Sequence, residues 1–505
     1  MSLQRAAGIL LHPTSLPGRY GIGDLGREAY RFIDYIYSAG QTIWQVFPLG
    51  PTGYGDSPYQ CFSAFAGNPL LISPDLLAED GLLTEEELTH VPEFDQASVD
   101  FGAAIPYKTG LLKAAFKRFI SANRHQDAAF LSFIEQHALW LNDYALFTAV
   151  KEYHGGVAWI DWDKGISLRQ GDAVHQWTEK LRDGILYVQF VQYIFYKQWS
   201  QIKRYANSKG IRVLGDMPLF IAYDSADLWA NKELFTVNEK GRLLTVAGVP
   251  PDYFSPTGQL WGNPLYRYDV MKRDNYQWWR NRFAALHELV DIIRIDHFRG
   301  MEAFWEIPGD APTAETGKWV KAPGAEVLSA VMNHLGPIDI IAEDLGIITD
   351  EVVALREQFN LPGMKILQFA FGTGMEKKFL PHNFVQNCAV YTGSHDNDTT
   401  RGYFEKEKNN PGNDIYEFTQ KYLNYYGEDV TGELIRTAYA SVANTVVVPM
   451  QDILRLGSEA RMNFPGKLGG NWTWRFTWDQ LTEEHVHTLS AFVQLYDRKP
   501  EKKEK

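Results

Sequence analysis

One short apolar run carries an arginine and an aspartate two residues apart. The run is Asp-Ile-Ile-Arg-Ile-Asp at 291–296, and its β-branched residues are typical of a buried parallel strand. Side chains two apart on a strand leave the same face, so Arg294 lies beside Asp296. A guanidinium beside a carboxylate favours the ionised form, which suits a nucleophile. A structural ion pair at a strand end explains the same pattern, because such pairs also perturb carboxylates.

Two later runs of the same kind also end in carboxylates. Glu343 follows the run Ile-Asp-Ile-Ile-Ala at 338–342, and Asp396 ends the run that begins at Ala389. If all three runs are strands of one parallel barrel, their acids meet at one rim. Retaining glycosidases need two carboxyls roughly 5 to 5.5 Å apart, one to attack the anomeric carbon and one to protonate the leaving oxygen. A third acid can then bind sugar hydroxyls.

A divalent-metal site is the main alternative for the same residues. Carboxylates at the ends of barrel strands also bind such cations, and the pairs Asp296–His297 and His395–Asp396 could supply ligands. The metal site is disfavoured because the segments around the three acids contain no His-x-His pair and no Glu-x-x-His pair. Three acids at three strand ends also argue against a purely structural role. We therefore expect no metal and no cofactor.

The elements that must position these acids are eight strand-like runs that alternate with helix-like segments. This alternation predicts an α/β protein with a (β/α)8 TIM barrel, rather than a doubly wound sheet. In such a barrel the loops that follow the strands build the active site. The eight runs are 8–15, 42–50, 212–219, 291–296, 338–343, 365–371, 389–396 and 444–451.

Two connections are too long to be simple loops, so we expect large insertions after strands 2 and 3. Residues 51–211 contain several helical patterns and are predicted to form a mostly helical inserted subdomain. Residues 220–276 are predicted to form an inserted loop or lid subdomain, because 250–264 is dense in proline, glycine and aromatic residues. A packed surface loop is the alternative for that stretch. The whole chain, 1–505, is predicted to be one catalytic barrel domain.

Composition excludes several classes of protein. The net charge of −13 is spread along the chain, which argues against a nucleic-acid or anionic-membrane partner. Two cysteines, Cys61 and Cys388, are too few for a disulfide framework or a cysteine-rich zinc site, so a reducing cytoplasm is the expected location. The N-terminal residues do not have the pattern of a signal peptide, and no apolar run approaches the roughly 18 residues of a spanning helix.

Seven short motifs follow one another over nearly the whole chain. They are GILLHPTSLP at 8–17, GYGDSPY at 53–59, GDMP at 215–218, RIDHFRG at 294–300, AEDLG at 342–346, SHDNDT at 394–399 and GGNWTWR at 469–475. The ordered set resembles glycoside hydrolase family 77 of the α-amylase clan, the 4-alpha-glucanotransferases known as amylomaltases or disproportionating enzymes. No catalytic position departs from the family pattern.

This resemblance implies catalytic roles for the three acids. Asp296 is the expected nucleophile, which forms a β-glucosyl ester. Glu343 is the expected acid that releases the first glucan and then the base that activates the 4-hydroxyl of the acceptor. Asp396 is expected to hold hydroxyls of the sugar under attack. Arg294 is expected to keep Asp296 ionised, and His395 to hydrogen-bond the same sugar.

The resemblance also implies positions for five residues around the sugar. Asp216 matches the acid after strand 3 near the reacting subsite, and His297 faces either that subsite or the core. Tyr59 resembles the stacking residue beneath the sugar, and Trp261 the loop residue that shapes the acceptor subsites. Tyr54 matches a tyrosine linked to glucan binding away from the chemistry. Core packing remains the alternative for each of these aromatic residues.

What the resemblance implies overall is transfer between α-1,4-glucans with retention of configuration. The expected partners are maltooligosaccharides, amylose and glucose as donors and acceptors, with no nucleic acid and no membrane, and a monomer or weak homodimer as the assembly. An α-1,4-glucan hydrolase on the same scaffold is the nearest alternative, and a non-catalytic glucan-binding protein is a third. Transfer requires that water be kept from the intermediate, and the stretches 250–264 and 463–474 are the expected walls.

Overall fold

Eight parallel strands close into a barrel in a computed structural model, which describes residues 3–251, 255–372, 376–410, 412–467 and 469–499. The strands of the described part, numbered in chain order, are β1 (Ala6–Leu10), β2 (Ile43–Gln45), β3 (Arg212–Met217), β4 (Thr245–Val249), β5 (Gln259–Pro264), β6 (Ile292–Ile295), β7 (Ala303–Pro308), β8 (Lys318–Lys321), β9 (Asp339–Ala342), β10 (Gly363–Ile366), β11 (Cys388–Tyr391) and β12 (Thr445–Pro449). Around the barrel the strands follow one another in the order β1-β12-β11-β10-β9-β6-β3-β2. Each of the eight predicted runs contains one of these strands or overlaps it, so the (β/α)8 prediction is confirmed.

The barrel strands are buried on both faces, as their apolar composition predicts. Ile292, Ile293 and Ile295 of β6 are fully buried, and so are all five residues of β12. Burial of each such isoleucine or valine side chain contributes about 1.5–3 kcal/mol. Helices cover the outer face, which is why residues that point away from the barrel axis are apolar too.

The helices alternate with the barrel strands and also form the insertion after β2. Within that insertion, residues 128–153 form two helices that meet at His137. The helices are α1 (Arg27–Ser38), α2 (Pro74–Glu79), α3 (Phe101–Ser121), α4 (Ala128–Gln136), α5 (Ala138–Tyr153), α6 (Lys164–Ser167), α7 (Gly171–Lys180), α8 (Arg182–Ser208), α9 (Ala226–Ala230), α10 (Tyr268–Met271), α11 (Gln277–Leu289), α12 (Gly324–Leu335), α13 (Asp350–Gln358), α14 (Thr400–Lys408), α15 (Ile415–Leu423), α16 (Thr431–Ala440), α17 (Met450–Ile453) and α18 (Glu483–Leu495).

Residues 51–211 contain α2 to α8, and their apolar side chains join the core of the barrel. Aromatic rings dominate this part, with Phe119 5.1 Å from Phe130 and Phe133 5.4 Å from Tyr196 between ring centroids. The buried residues of the helical segment and of the barrel belong to one continuous cluster. The insertion therefore packs directly on the barrel and shares its hydrophobic core. Among the helices of the described ranges, none has both the length and the apolar character to span a bilayer.

A second sheet stands beside the barrel and has four antiparallel strands in the order β5-β4-β7-β8. β4 and β5 come from segment 220–276, which the sequence patterns describe only as a loop or lid. β7 and β8 come from the connection that follows β6. Sequence patterns do not predict this sheet, because β8 is short and largely exposed and because glycine and proline interrupt β5. Residues 252–254 of the expected lid lie outside the described ranges.

Candidate active site

Asp296 and Glu343 follow two neighbouring strands at the same level of the barrel. Ile295, the last residue of β6, pairs with Ala342, the last residue of β9, so each acid is the next residue of its chain. The amide of Glu343 donates to the carbonyl of Ile295 at 3.1 Å, and the amide of Phe298 donates to the carbonyl of Glu343 at 3.0 Å. The backbone thus fixes both acids next to each other at the carboxyl end of the barrel, where reactive side chains of this fold lie.

The Glu343 carboxyl is half-buried and lies against the backbone that follows Asp296. Its Oε2 accepts the amide of His297 at 2.6 Å, and its Oε1 accepts the amide of Leu345 at 3.2 Å. Burial raises the pKa of Glu343 to about 8 despite the nearby cation of Arg294, and the charge of Asp296 adds to the rise. At neutral pH this group is therefore mostly protonated and can act as an acid.

Asp296 lies on Arg294, as the spacing along the strand predicts. Nη1 of Arg294 is 3.0 Å from Oδ1 of Asp296 and 2.5 Å from Oδ2 of Asp216. Burial raises the pKa of Asp296 to about 6, because the cost of desolvation exceeds the stabilisation that Arg294 provides. The side chain keeps 29% of its surface exposed, so the carboxylate remains open to a ligand. At neutral pH Asp296 is mostly ionised while Glu343 is mostly protonated.

Asp216 and Tyr59 extend the same network on the other side of Arg294. Asp216 lies on β3, opposite Arg294 in the neighbouring strand, and its side chain is completely buried. The Tyr59 hydroxyl donates to Oδ2 of Asp216 at 2.7 Å. The Tyr59 ring stacks on the His395 ring with centroids 4.8 Å apart and planes 19° apart. Asp216 therefore receives two donors on one oxygen and holds Arg294 beside Asp296.

Asp396 lies at the mouth of the barrel, five residues after the end of β11. Half of its side chain is exposed. Nδ2 of Asn463 donates to its Oδ1 at 2.7 Å, and Nε2 of His395 is 3.3 Å from its Oδ2. Burial opposes ionisation, but the charge and hydrogen bond of His395 and the hydrogen bond from Asn463 outweigh it and hold the pKa of Asp396 well below its usual range. This carboxylate is ionised throughout the working range of pH.

A cleft of about 520 Å³ opens at the mouth of the barrel, and Glu343 is not among its described lining residues. It is lined by Asp296, Asp396, Tyr59, Trp261 and His297, together with the described part of segment 463–472. The Trp261 ring meets the His297 ring edge-on, with centroids 4.8 Å apart. Burial lowers the pKa of His297 to about 4, so this imidazole is neutral in the cleft. Of the two positions that the sequence allows for His297, the structure has the one in the cleft.

The sequence matches a known protein family over most of its length. The family model for 4-alpha-glucanotransferases, glycoside hydrolase family 77, matches residues 11–482. The chain belongs to this family. A 4-alpha-glucanotransferase of Synechocystis sp. is 48% identical in an alignment of 504 positions that covers 98% of each chain. One of Thermus thermophilus is 48% identical in an alignment of 507 positions that covers 99% of this chain and 100% of that one.

A solved structure extends the comparison to the fold. The amylomaltase of Streptococcus agalactiae, determined in complex with acarbose, superposes with a TM-score of 0.94 at 39% identity and covers 98% of this chain and 100% of its own. The family predicted from the seven motifs is thus confirmed. The superposition also supports the barrel and its insertions as a shared architecture.

Two residues of the cleft, Asn463 and Trp472, and the neighbouring Arg461 were not predicted as site residues. Asn463 and Arg461 fix Asp396, since Nη2 of Arg461 donates to the carbonyl of Asp396 at 2.6 Å. The Trp472 ring lies 5.7 Å from the rings of both Tyr59 and His395. The sequence marks 463–474 as a wall of the cleft, but a contact across more than sixty residues has no local signal. The side chain of Tyr54 lies outside what the structure describes, so its expected role stays a prediction.

The described residues also bear on the metal alternative. No group of three or more His, Cys, Asp or Glu side chains within the described ranges is arranged to hold a metal ion. At the rim of β3 and β6, the space between the carboxylates of Asp216 and Asp296 is taken by the guanidinium of Arg294. The positive charge that these two carboxylates require is therefore supplied by the chain itself.

Proposed function

We propose that this enzyme transfers a segment of an α-1,4-glucan to the 4-hydroxyl of another glucan or of glucose by two displacements at C1. The main support is the pair of adjacent acids with opposite protonation at neutral pH, Asp296 ionised and Glu343 protonated. A retaining mechanism requires this combination of a nucleophile and an acid. Membership of the 4-alpha-glucanotransferase family supports glucan as the substrate.

In the first step the Asp296 carboxylate attacks C1 from the β face while Glu343 protonates the glycosidic oxygen. The glucan on the leaving side departs with a free 4-hydroxyl, and a β-glucosyl ester forms on Asp296. Arg294 holds the attacking carboxylate in place, since its Nη1 is shared with the buried Asp216. Asp396, which stays ionised, binds hydroxyls of the same sugar.

In the second step Glu343 acts as a base. It removes the proton of the acceptor 4-hydroxyl, whose oxygen attacks C1 and releases Asp296. Two inversions restore the α configuration, and Glu343 regains the proton that it needs for the next cycle. No step calls for a cofactor, because the attacking group, the acid and the base are all side chains of this chain.

Transfer rather than hydrolysis requires walls that favour a sugar over water at the ester. Trp261 with His297 forms one aromatic wall, and Trp472 with Tyr59 forms the other. Flat apolar faces bury the C–H surfaces of an acceptor sugar and leave little space for ordered water.

Incubation with maltotriose tests the proposal. Transfer produces glucose and longer oligomers with no net gain of reducing ends. Hydrolysis on the same scaffold produces a steady gain of reducing ends. A binding protein changes neither the lengths of the oligomers nor the number of reducing ends. Chromatography of the products together with a reducing-end assay separates the three, and a gain of reducing ends equal to the bonds broken would refute transfer.

The pH dependence of transfer is a first prediction. We expect kcat/KM for maltotriose to rise with pH through about 6 and to fall through about 8. Below the first value Asp296 is protonated and cannot attack, and above the second Glu343 is ionised and cannot protonate the leaving oxygen. Initial rates from about pH 5 to about pH 9 measure the profile. Circular dichroism over the same range separates titration from unfolding, and a flat profile in folded protein contradicts the assignment.

Trp261→Ala is a second prediction and concerns the wall of the cleft. We expect the share of intermediate lost to water to rise severalfold, because the ring that covers His297 is removed and water enters. The ratio of reducing ends gained to bonds transferred measures this share. Trp319→Ala is the matched control, because Trp319 is exposed on β8 and does not line the cleft. An unchanged ratio for Trp261→Ala would remove this wall from the explanation.

The proposed function also includes a domain organisation, an assembly and a set of substrates. We propose that the chain acts as one catalytic barrel domain, 1–505, with the helical subdomain 51–211 and the lid subdomain 220–276 packed on it. We propose a monomer or a weak homodimer as the assembly. Maltooligosaccharides, amylose and glucose are the proposed donors and acceptors. The thiols of Cys61 and Cys388 are free, which suits a reducing cytoplasm.

A further inference from the structure

A second groove runs along the outside of the barrel and is as large as the catalytic cleft. Its volume is about 600 Å³, against about 520 Å³ for the cleft, and the described residues that line the two are entirely different. Helix α11 contributes one side and the start of α5 the other. Phe65, from the long connection after β2, lies between them. The groove thus follows the seam between the helical insertion and the barrel.

Three aromatic rings from distant parts of the chain meet in this groove. The Phe65 ring is parallel to the Trp140 ring within 13°, with centroids 6.4 Å apart. It meets the Trp278 ring nearly at a right angle, with centroids 6.2 Å apart. All three residues line the groove. Phe65 and Trp278 are only 8% and 7% exposed and support Trp140, whose ring is partly exposed to the groove. A partly exposed indole suits a ligand with an apolar face, and the two faces of a pyranose ring carry mainly C–H groups.

Polar groups for hydroxyls lie next to these rings. Gln277 and Asn281 are one turn apart on α11 and line the groove. Within the described chain, neither side-chain amide is hydrogen-bonded to another residue. Each carboxamide offers a donor and an acceptor, the two functions that a hydroxyl also has. Lining residues recur along α11 as far as Glu288, a length of about 16 Å, which suits a chain of sugars better than a single sugar.

The charge of the groove excludes anionic ligands. No lysine or arginine occurs among its described lining residues, whereas several carboxylates do. A phosphorylated sugar or a nucleotide would be repelled. A cationic ligand is also disfavoured, because three of the acids already have partners. Asp143 is 2.7 Å from Arg169, and the carboxylates of Asp227 and Asp274 accept backbone amides at 2.8 Å and 3.0 Å. A neutral, polyhydroxylated ligand meets both conditions.

We propose that this groove is a second binding site for the neutral α-glucan, away from the reacting sugar. The identity of the ligand rests on the proposed function, whereas the existence of the groove does not. Phe65 lies six residues after Tyr59, so one loop contributes to both cavities. A long glucan held in the groove raises the local concentration of its free ends near the cleft, which a donor of three sugars cannot do.

Calorimetric titration with maltoheptaose tests the site directly. Asp296→Asn protein serves as the parent, because we expect it to bind donor without turnover. We expect Gln277→Ala with Asn281→Ala in this parent to bind one maltoheptaose fewer per chain, or to bind it about tenfold more weakly at one site. Both residues lie on the groove side of helix α11, and alanine has the highest helix propensity, so we expect the double variant to keep its fold. Gln494→Ala, on the exposed side of α18, is the matched control and should leave the titration unchanged.

Kinetics in the otherwise wild-type chain provide the second readout. The double variant should keep kcat/KM for maltotriose within about twofold and raise KM for amylose severalfold. An unchanged titration overturns the proposal. Failure of the wild-type chain to disproportionate maltotriose overturns the proposed function instead, and the titration with maltoheptaose still decides whether the groove binds glucan.

Discussion

Asp296→Ala should lower the rate of transfer from maltotriose by about 10⁴-fold or more, which corresponds to about 5 kcal/mol of transition-state stabilisation. The variant lacks the atom that forms the ester, and water in the space that is left is a far weaker nucleophile. Glucan binding should persist, because Asp396, His395 and the aromatic walls are unchanged. Product chromatography measures the rate. Asp291→Asn, at the opposite end of the same strand, is the matched control and should keep most of the activity.

Azide distinguishes loss of a nucleophile from loss of structure in this variant. With α-maltosyl fluoride as donor, azide should enter on the face that Asp296 occupied, form a bond from nitrogen to C1 and expel fluoride. The expected product is the β-configured maltosyl azide, because only one inversion has taken place. An α-configured product, or a rate with maltotriose within a few fold of wild type, would show that another residue attacks C1.

The placement of Asp296 and Glu343 could be predicted because it depends only on local pattern and on the geometry of a barrel. Each follows a short β-branched run, and parallel strands that are buried on both faces have this composition. The carboxyl ends of such strands lie at one rim. Asp216 and Arg294 follow the same logic, since the two occupy paired positions on adjacent strands.

What surrounds those acids could not be predicted in the same way. Spacing along β6 shows that Arg294 lies beside Asp296, and this suggests a lowered pKa for the carboxylate. The structure shows that burial outweighs the cation and raises that pKa. The burial of a side chain depends on every element packed around it, so it cannot be predicted from the sequence of one strand.

Contacts between distant loops are the other part that sequence patterns miss. Asn463 and Arg461 hold Asp396 across more than sixty residues, and neither lies in a segment with helical or strand periodicity. In the four-stranded sheet beside the barrel, β4 pairs with β7, although the barrel strand β6 lies between them in the sequence. Its edges are short and partly polar, so its pairing is visible only once the barrel brings the two segments together.

Glu343→Gln should lower transfer from maltotriose by about 10³-fold, within the range for removal of a general acid. The glutamine amide cannot protonate the glycosidic oxygen, so the glucan must leave as an alkoxide, which is a poor leaving group. With α-maltosyl fluoride the first step should be nearly normal, because fluoride leaves without a proton. The high-pH limb near 8 should disappear for that donor, since the group responsible for it is gone. Initial rates with the two donors measure the contrast.

Glu343→Ala with azide completes the assignment, because its product should be the opposite anomer to the one from Asp296→Ala. Here Asp296 still forms the ester and fluoride leaves. Azide, which needs no base, then attacks C1 on the α face and releases the carboxylate. Two inversions give the α-configured azide. Glu351→Gln, exposed on α13, is the matched control and should behave as wild type with both donors. Equal losses with maltotriose and with the fluoride would mean that Glu343 is not the acid.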